Sequence, residues 1–356
     1  MIVMEATILC ESRLDSGARG GAKPAKSSPG FGLEDREGPQ DMSVAFVFPG
    51  QGSQAVGMGK ALAQAFPMAQ RVFDEVDAAL GERLSAVIWE GPADKLTLTE
   101  NAQPALMAVS LAVVRVLETE AGLDVVHDAR FVAGHSLGEY SALAAAGALS
   151  IADTARLLRI RGLAMQKAVP VGVGAMAALL GLEFDVVQAV AEEAACGQVC
   201  QAANDNGGGQ VVVSGDKAAV ERAVEIAKMR GAKRAMMLPV SAPFHCALMQ
   251  PAADAMAQVL AEVAIHKPAP PLVANVVARA IVDPAEIARR LVEQVTGTVR
   301  WRECVAYMAR AGVTKFYEIG AGKVLSGLVK RIADGAIGTA IGTPEDITVF
   351  KASRSA

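Results

Sequence analysis

Short apolar runs alternate along this chain with longer stretches in which apolar residues recur every three or four positions. Val44 to Phe48 is uninterruptedly apolar and is followed at once by Pro49-Gly50-Gln51-Gly52. Such a run predicts a strand buried on both faces, as in parallel sheets. Phe131 to Ala133, Leu272 to Val277 and the stretch 315–319 predict further strands. Helical spacing predicts helices at about 56–66, 68–80, 105–121, 151–168, 247–264, 284–294, 302–311 and 322–332. The stretch from Leu98 to Ala105 reads as a loop that enters its helix near Pro104.

The texture changes between 170 and 240. Strand-like 175–182, helical 185–196, strand-like 199–203 and 210–214, helical 217–229 and strand-like 235–240 follow one another. That order, β-α-β-β-α-β, is ferredoxin-like. The expected fold class is therefore α/β: a parallel-sheet, hydrolase-like core over 43–169 and 241–345, with 170–240 inserted as a ferredoxin-like subdomain. Residues 1–42 are poor in apolar residues and rich in Gly, Pro and Ser, which predicts a disordered leader. Met42 directly precedes the first clear strand, so translation is expected to start there, or the leader to be dispensable. The tail 346–356 is expected to fray.

Composition narrows the function classes. The chain has 356 residues, 52% of them hydrophobic and only 4% aromatic, so a large core must be built from aliphatic side chains. A formal net charge of −4 argues against nucleic acid or an acidic membrane as the main partner. No apolar run approaches a membrane span, and the start lacks the basic, uninterruptedly apolar pattern of a secretory signal. A cytoplasmic protein is expected. The five cysteines, Cys10, Cys196, Cys200, Cys246 and Cys304, form no framework or zinc pattern and read as reduced thiols, with no metal.

The chemistry-bearing stretch is Gly134-His135-Ser136-Leu137-Gly138, which fits the nucleophile-elbow pattern G-x-S-x-G between a strand and a helix. Glycines on either side let strand and helix approach closely, and the helix start favours developing negative charge near Ser136. A serine hydroxyl needs a base. Of four histidines, His127 and His266 read as surface residues, and His135 should point away from its neighbour's hydroxyl. That leaves His245, in the loop at the subdomain's return. Its orienting acceptor is open: Asp153, Asp185, Asp205 and Asp216 are available, and a carbonyl would also serve. The loop after the first strand would bring Gln51 near the same end of the sheet.

Four motifs then occur in order: Phe48-Pro49-Gly50-Gln51-Gly52-Ser53-Gln54, Gly134 to Tyr140, Arg161-Gly162 with Met165-Gln166, and Ala242-Pro243-Phe244-His245. Together they resemble the malonyl-CoA:acyl carrier protein transacylases, over about 43–340. The resemblance implies that Ser136 becomes acylated, with His245 as base and the Gln294 main-chain carbonyl orienting it. It implies an oxyanion hole from Gln51 and the Leu137 N–H, and Arg161 as the partner of the malonyl carboxylate. Gln103 and Asn204 match cleft-lining positions, and Phe244 resembles the malonyl-selective type. The implied substrates are malonyl-CoA and the phosphopantetheine thiol of acyl carrier protein, with no bound cofactor. The carrier would be a transient partner of a monomer, docking on basic residues such as Lys228, Arg230, Lys233 and Arg234. The sequence departs from the family's Pro-Val-x-Trp at Thr298-Val299-Arg300-Trp301, which bears on how Gln294 is presented. A serine hydrolase or thioesterase would share Ser136 and His245 but has no need of Arg161. An idle carrier-binding module would need none of them.

Overall fold

The structure, a computed structural model, describes residues 43–240 and 242–354. The leader expected over 1–42 lies outside the described residues. Among the described residues ten strands occur in two sheets: β1 (Val44–Phe48), β2 (Phe131–Gly134), β3 (Gly174–Leu180), β4 (Cys200–Asp205), β5 (Gln210–Asp216), β6 (Arg234–Met237), β7 (Leu272–Ala274), β8 (Arg279–Ile281), β9 (Lys315–Ile319) and β10 (Ile337–Ile341). The larger sheet has the order β10-β9-β1-β2-β7-β8. Its neighbours are parallel except β7 and β8, which pair antiparallel.

The unbroken apolar sequence of β1 follows from its central place. Phe46, Phe48 and Val132 face one core cluster, while Ala45, Val47, Phe131 and Ala133 face another that contains Trp301, Val305 and Leu325. Helices cover both faces, so neither face of the strand needs polar residues.

Helix Thr99–Ala121 runs through the first cluster. It is long and apolar enough to cross a membrane, but 83% of its most apolar window is buried inside the protein, as in a core helix. The loop expected over 98–105 is instead helical from Thr99, and Pro104 lies inside the helix. As the sixth residue of the helix, Pro104 lies past the first turn and forgoes one intrahelical N–H bond, to the Glu100 carbonyl. Close packing supports the extra turn: a Cβ on Gly162 of helix Ile151–Ala168 would lie 2.5 Å from the Glu100 Cα.

The smaller sheet has the order β4-β5-β3-β6, with every neighbouring pair antiparallel. Helices Phe184–Ala195 and Lys217–Met229 pack on it through Val187, Val190, Val220 and Ala223. Backbone bonds join it to the rest of the chain at Asp205 N–H to Val299 O (2.9 Å) and Val299 N–H to Ala203 O (2.9 Å).

The chain end also corrects an expectation. Instead of fraying from 346, residues Pro344–Arg354 form a helix. Ile347 and Phe350 are buried, and Phe350 meets Tyr317 edge-on at 5.2 Å between ring centroids.

The approach of β2 to the following helix, Gly138–Ala145, sets a strict steric limit. A Cβ on Gly134 would lie 1.9 Å from both C and O of Gly138, and one on Gly138 would lie 2.3 Å from the Phe48 carbonyl oxygen. Gly134→Ala is therefore expected to cost on the order of 4 kcal/mol or more. Thermal denaturation checks this against Gly327→Ala, where a Cβ meets nothing within 4 Å. On its helix that control should gain up to about 1 kcal/mol.

Candidate active site

Ser136 has φ 53°, a left-handed conformation in a residue with a side chain, at a cost of roughly 1–2 kcal/mol. Its main chain is held from β7's end of the sheet. Ser136 N–H donates to Asn275 Oδ1 (2.9 Å), and Asn275 Nδ2 donates to the Gly134 carbonyl (2.8 Å). The Asn275 side chain thus continues the strand pairing one step past the end of β2 and clamps the turn on both sides of His135.

The Ser136 hydroxyl lies 2.8 Å from His245 Nε2, and His245 Nδ1 lies 2.8 Å from the Gln294 main-chain oxygen. A carbonyl only accepts, so Nδ1 carries the proton and Nε2 is free to receive the serine's. His245 is 4% exposed and also has positive φ, 59°. Burial, followed by the neighbouring Arg161 charge, pushes its pKa down to about 3. The neutral imidazole, the form a general base requires, therefore prevails at neutral pH.

Arg161 is 1% exposed. Its Nη1 donates to Gln103 Oε1 (2.7 Å), and its Nη2 donates to Gln294 Oε1 (2.9 Å) and Ser136 Oγ (3.1 Å). Its Cζ lies 5.7 Å from the Tyr140 ring centroid. Among the described residues no carboxylate lies within ion-pair reach of it. A buried guanidinium bound only by neutral groups beside a nucleophile is suited to an anionic group from outside.

These residues open on a cavity of about 520 Å³. Gln51, Gln103, Ser136, Leu137, Arg161, Asn204, Phe244 and His245 all line it, and Met165, Met176, Leu238 and Leu328 supply apolar wall. Gln51 Nε2 donates to Thr99 Oγ1 at 3.4 Å. Leu137 directly precedes the first residue of helix Gly138–Ala145. Gln294 is buried behind the cavity, with its carbonyl on His245 and its side chain on Arg161.

The remaining histidines and aspartates lie elsewhere. His135 Nε2 pairs with Asn206 Oδ1 (2.9 Å), tying the elbow to the loop after β4. His127, on the short helix Val125–Asp128 rather than in a loop, pairs with Asp124, and His266 is exposed. Asp153 bonds Ser150 and Arg156, Asp205 bonds Arg302, Asp216 accepts from Val199 N–H, and Asp185 is exposed, so none of the four orients His245.

Two participants were absent from the sequence reading. No pattern around Asn275 singles it out. Glu139 stands within the elbow motif, yet nothing marks it as buried. It is fully inaccessible, accepting from Gln294 Nε2 (2.7 Å) and Asn275 N–H (3.1 Å). Burial pushes its carboxyl up to about 7, against the opposing pull of those two bonds and of Arg161.

The acyl transferase domain family matches residues 45–338. The chain belongs to this family of acyltransferases. It is 48% identical over 300 residues to the malonyl CoA-acyl carrier protein transacylase of Escherichia coli K12, covering 84% of this chain and 96% of that protein. The acyl-carrier-protein-S-malonyltransferase of Bartonella henselae superposes with a TM-score of 0.86 at 57% identity, covering 88% of this chain and all of that one. A malonyl-transacylase solved with a type II polyketide-synthase acyl-carrier protein superposes at 0.84 with 42% identity, covering 87% of this chain and 99% of that one.

Two features of the acyltransferase bear on its departures and surfaces. Thr298, in the place of the family's proline, donates to the Ala202 carbonyl at 2.7 Å and so fastens the loop after Gln294 to β4. The Gln294 carbonyl still reaches His245. Of the basic residues on and beside the smaller sheet's helices, Lys228 pairs with Glu225 and Arg230 with Glu193. Cys200, Cys246 and Cys304 are buried and Cys196 is exposed. Among the described residues no cluster of His, Cys, Asp and Glu could hold a metal ion.

Proposed function

We propose that this acyltransferase moves a malonyl group from malonyl-CoA to the phosphopantetheine thiol of acyl carrier protein, through a malonyl-Ser136 ester, in support of fatty-acid biosynthesis. The observation that carries the reading is the position of Ser136 Oγ. It lies within hydrogen-bond reach of both a neutral imidazole, His245 Nε2, and a guanidinium without a carboxylate partner, Arg161 Nη2.

Ser136 Oγ attacks the thioester carbonyl as its proton passes to His245 Nε2, and Nδ1 stays bonded to the Gln294 carbonyl. The tetrahedral oxyanion takes hydrogen bonds from the Leu137 N–H and from Gln51. Collapse breaks the C–S bond, and the proton on His245 leaves with the CoA thiol. The second half runs in reverse: His245 takes the proton of the incoming phosphopantetheine thiol, its sulfur attacks the ester, and the Ser136 oxygen recovers the proton. Arg161 holds the malonyl carboxylate through both halves by a two-pronged charged contact that a lysine could not copy. Gln103 holds Arg161 from behind, Asn204 contributes a polar wall, and Phe244 crowds a substituent on the malonyl α-carbon.

We read 170–240 as a ferredoxin-like insert in a core formed by 43–169 and 241–345, a reading supported by the antiparallel order β4-β5-β3-β6. The enzyme would act as a monomer that meets its carrier transiently, and no bound cofactor is needed for the steps above.

Intact-mass measurement after mixing with malonyl-CoA, followed by holo acyl carrier protein, tests the reading. A malonyl adduct that passes to the carrier is expected. Release of free malonate without transfer would point to a hydrolase, and the lack of any adduct would sink the proposal.

A further inference from the structure

Arg161 can grip a carboxylate only if its guanidinium is held in one plane, because a two-pronged contact depends on orientation as well as charge. The side chain that fixes it on the Ser136 side is Gln294, through Oε1 at 2.9 Å. That amide has only one workable orientation. Arginine offers donors alone, so it must face the amide oxygen. The amide nitrogen then faces three acceptors, Glu139 Oε2 at 2.7 Å, the Ser136 carbonyl at 3.0 Å and Asn275 Oδ1 at 3.3 Å. Glu139 is held in turn by the Asn275 N–H. A chain of directed bonds therefore runs from a fully buried carboxyl, through an amide, to the guanidinium.

We propose that Glu139 and the Gln294 side chain are positioning residues that aim Arg161 at the acyl group's carboxylate, and so set selectivity for carboxylated over uncharged acyl groups. This rests on the malonyl reading above. Gln294 then serves two separate purposes. Its main-chain carbonyl orients His245 for any acyl group, whereas its side chain serves Arg161. Glu139 touches neither the nucleophile's hydroxyl nor the cavity. Its effect passes through the amide, which would otherwise rotate, and a hydrogen-bond acceptor at its place is sufficient for that.

The test is single-turnover acylation of Ser136, read by intact mass, with malonyl-CoA and acetyl-CoA separately. In E139L and in Q294L the malonyl-to-acetyl rate ratio should fall about tenfold or more, the size expected when a hydrogen bond to a charged group is lost. E139Q keeps an acceptor oxygen and should restore the ratio to within about threefold of wild type, a difference well below one such bond. Q294L keeps the main-chain carbonyl, so it carries the test even if E139L fails to fold. Equal loss with both thioesters in Q294L would mean a merely structural role and would overturn the relay. So would an unchanged ratio. A wild-type enzyme that acquires acetyl but no malonyl would overturn the function reading itself, an outcome distinct from either.

Discussion

His245→Ala should slow acylation of Ser136 by about a hundredfold to ten-thousandfold, the usual worth of a positioned general base. Ser136→Ala should show no adduct at any time. Rapid mixing with malonyl-CoA and intact-mass readout measures both. The range is set by what remains in the alanine variant: the strained turn still presents the hydroxyl, Asn275 still clamps the Ser136 N–H, and Arg161 still donates to the serine oxygen. Only the proton acceptor is gone. The pH profile adds a signed expectation. Because the folded pKa of His245 is depressed to about 3, the base is neutral from pH 8 down past the usual histidine range. The acid limb of kcat/KM due to His245 should therefore lie well below pH 6.5, the ordinary value. A limb near 7 that vanishes in E139Q would report Glu139, whose carboxyl is raised to about 7, and not the base. A limb at 6.5 lost only in His245→Ala would contradict the buried geometry.

Parts of this site were legible because local sequence carries them. The Gly-x-Ser-x-Gly spacing is a steric requirement written into consecutive residues: Gly134 and Gly138 stand where the backbones almost touch. His245 could be reached because the chain contains so few histidines. Strand β1 showed as a continuous apolar run because both its faces are covered. What stayed hidden is what depends on distant packing. As a charge on a helix Arg161 reads like Arg156, and only the family motif Arg161-Gly162 with Met165-Gln166 sets it apart; its full enclosure, while Arg156 pairs with Asp153 at the surface, depends on packing from other elements. Asn275 follows the short strand β7, which was legible, but its bonds to Ser136 and Gly134 reach back more than a hundred residues and no local pattern marks them. Pro104 suggested a helix start by a local rule, but close packing against Gly162 carries the helix five residues further back. β10, with Gly338 and Thr339 in its middle, lacks the apolar run of a central strand because it lies at the sheet edge.

The second large effect is expected at Arg161. Arg161→Ala should lower malonyl loading by about a hundredfold to a thousandfold, the size seen when one partner of a buried, hydrogen-bonded charge pair is removed. The penalty falls on the substrate. No protein carboxylate lies in ion-pair reach of Arg161 among the described residues, and without the arginine the buried Glu139 carboxyl holds its proton more firmly and stays neutral, so the loss appears mainly when an acyl carboxylate must enter the cavity without its counter-charge. Acetyl-CoA brings no such charge, so its loading should change by less than about tenfold, the share owed to the lost donor at Ser136 Oγ. Arg161→Lys separates charge from shape. An ammonium restores the attraction but cannot meet Gln103, Gln294 and a carboxylate with one planar fork, so malonyl loading should recover only partly. Removing the arginine should also raise the His245 pKa, since its charge is the second cause of the depression after burial. The acid limb of acetyl loading should then move to higher pH than in wild type. Parallel losses with the two thioesters, together with an unmoved acid limb, would show that Arg161 supports the fold of the site and does not read the acyl group.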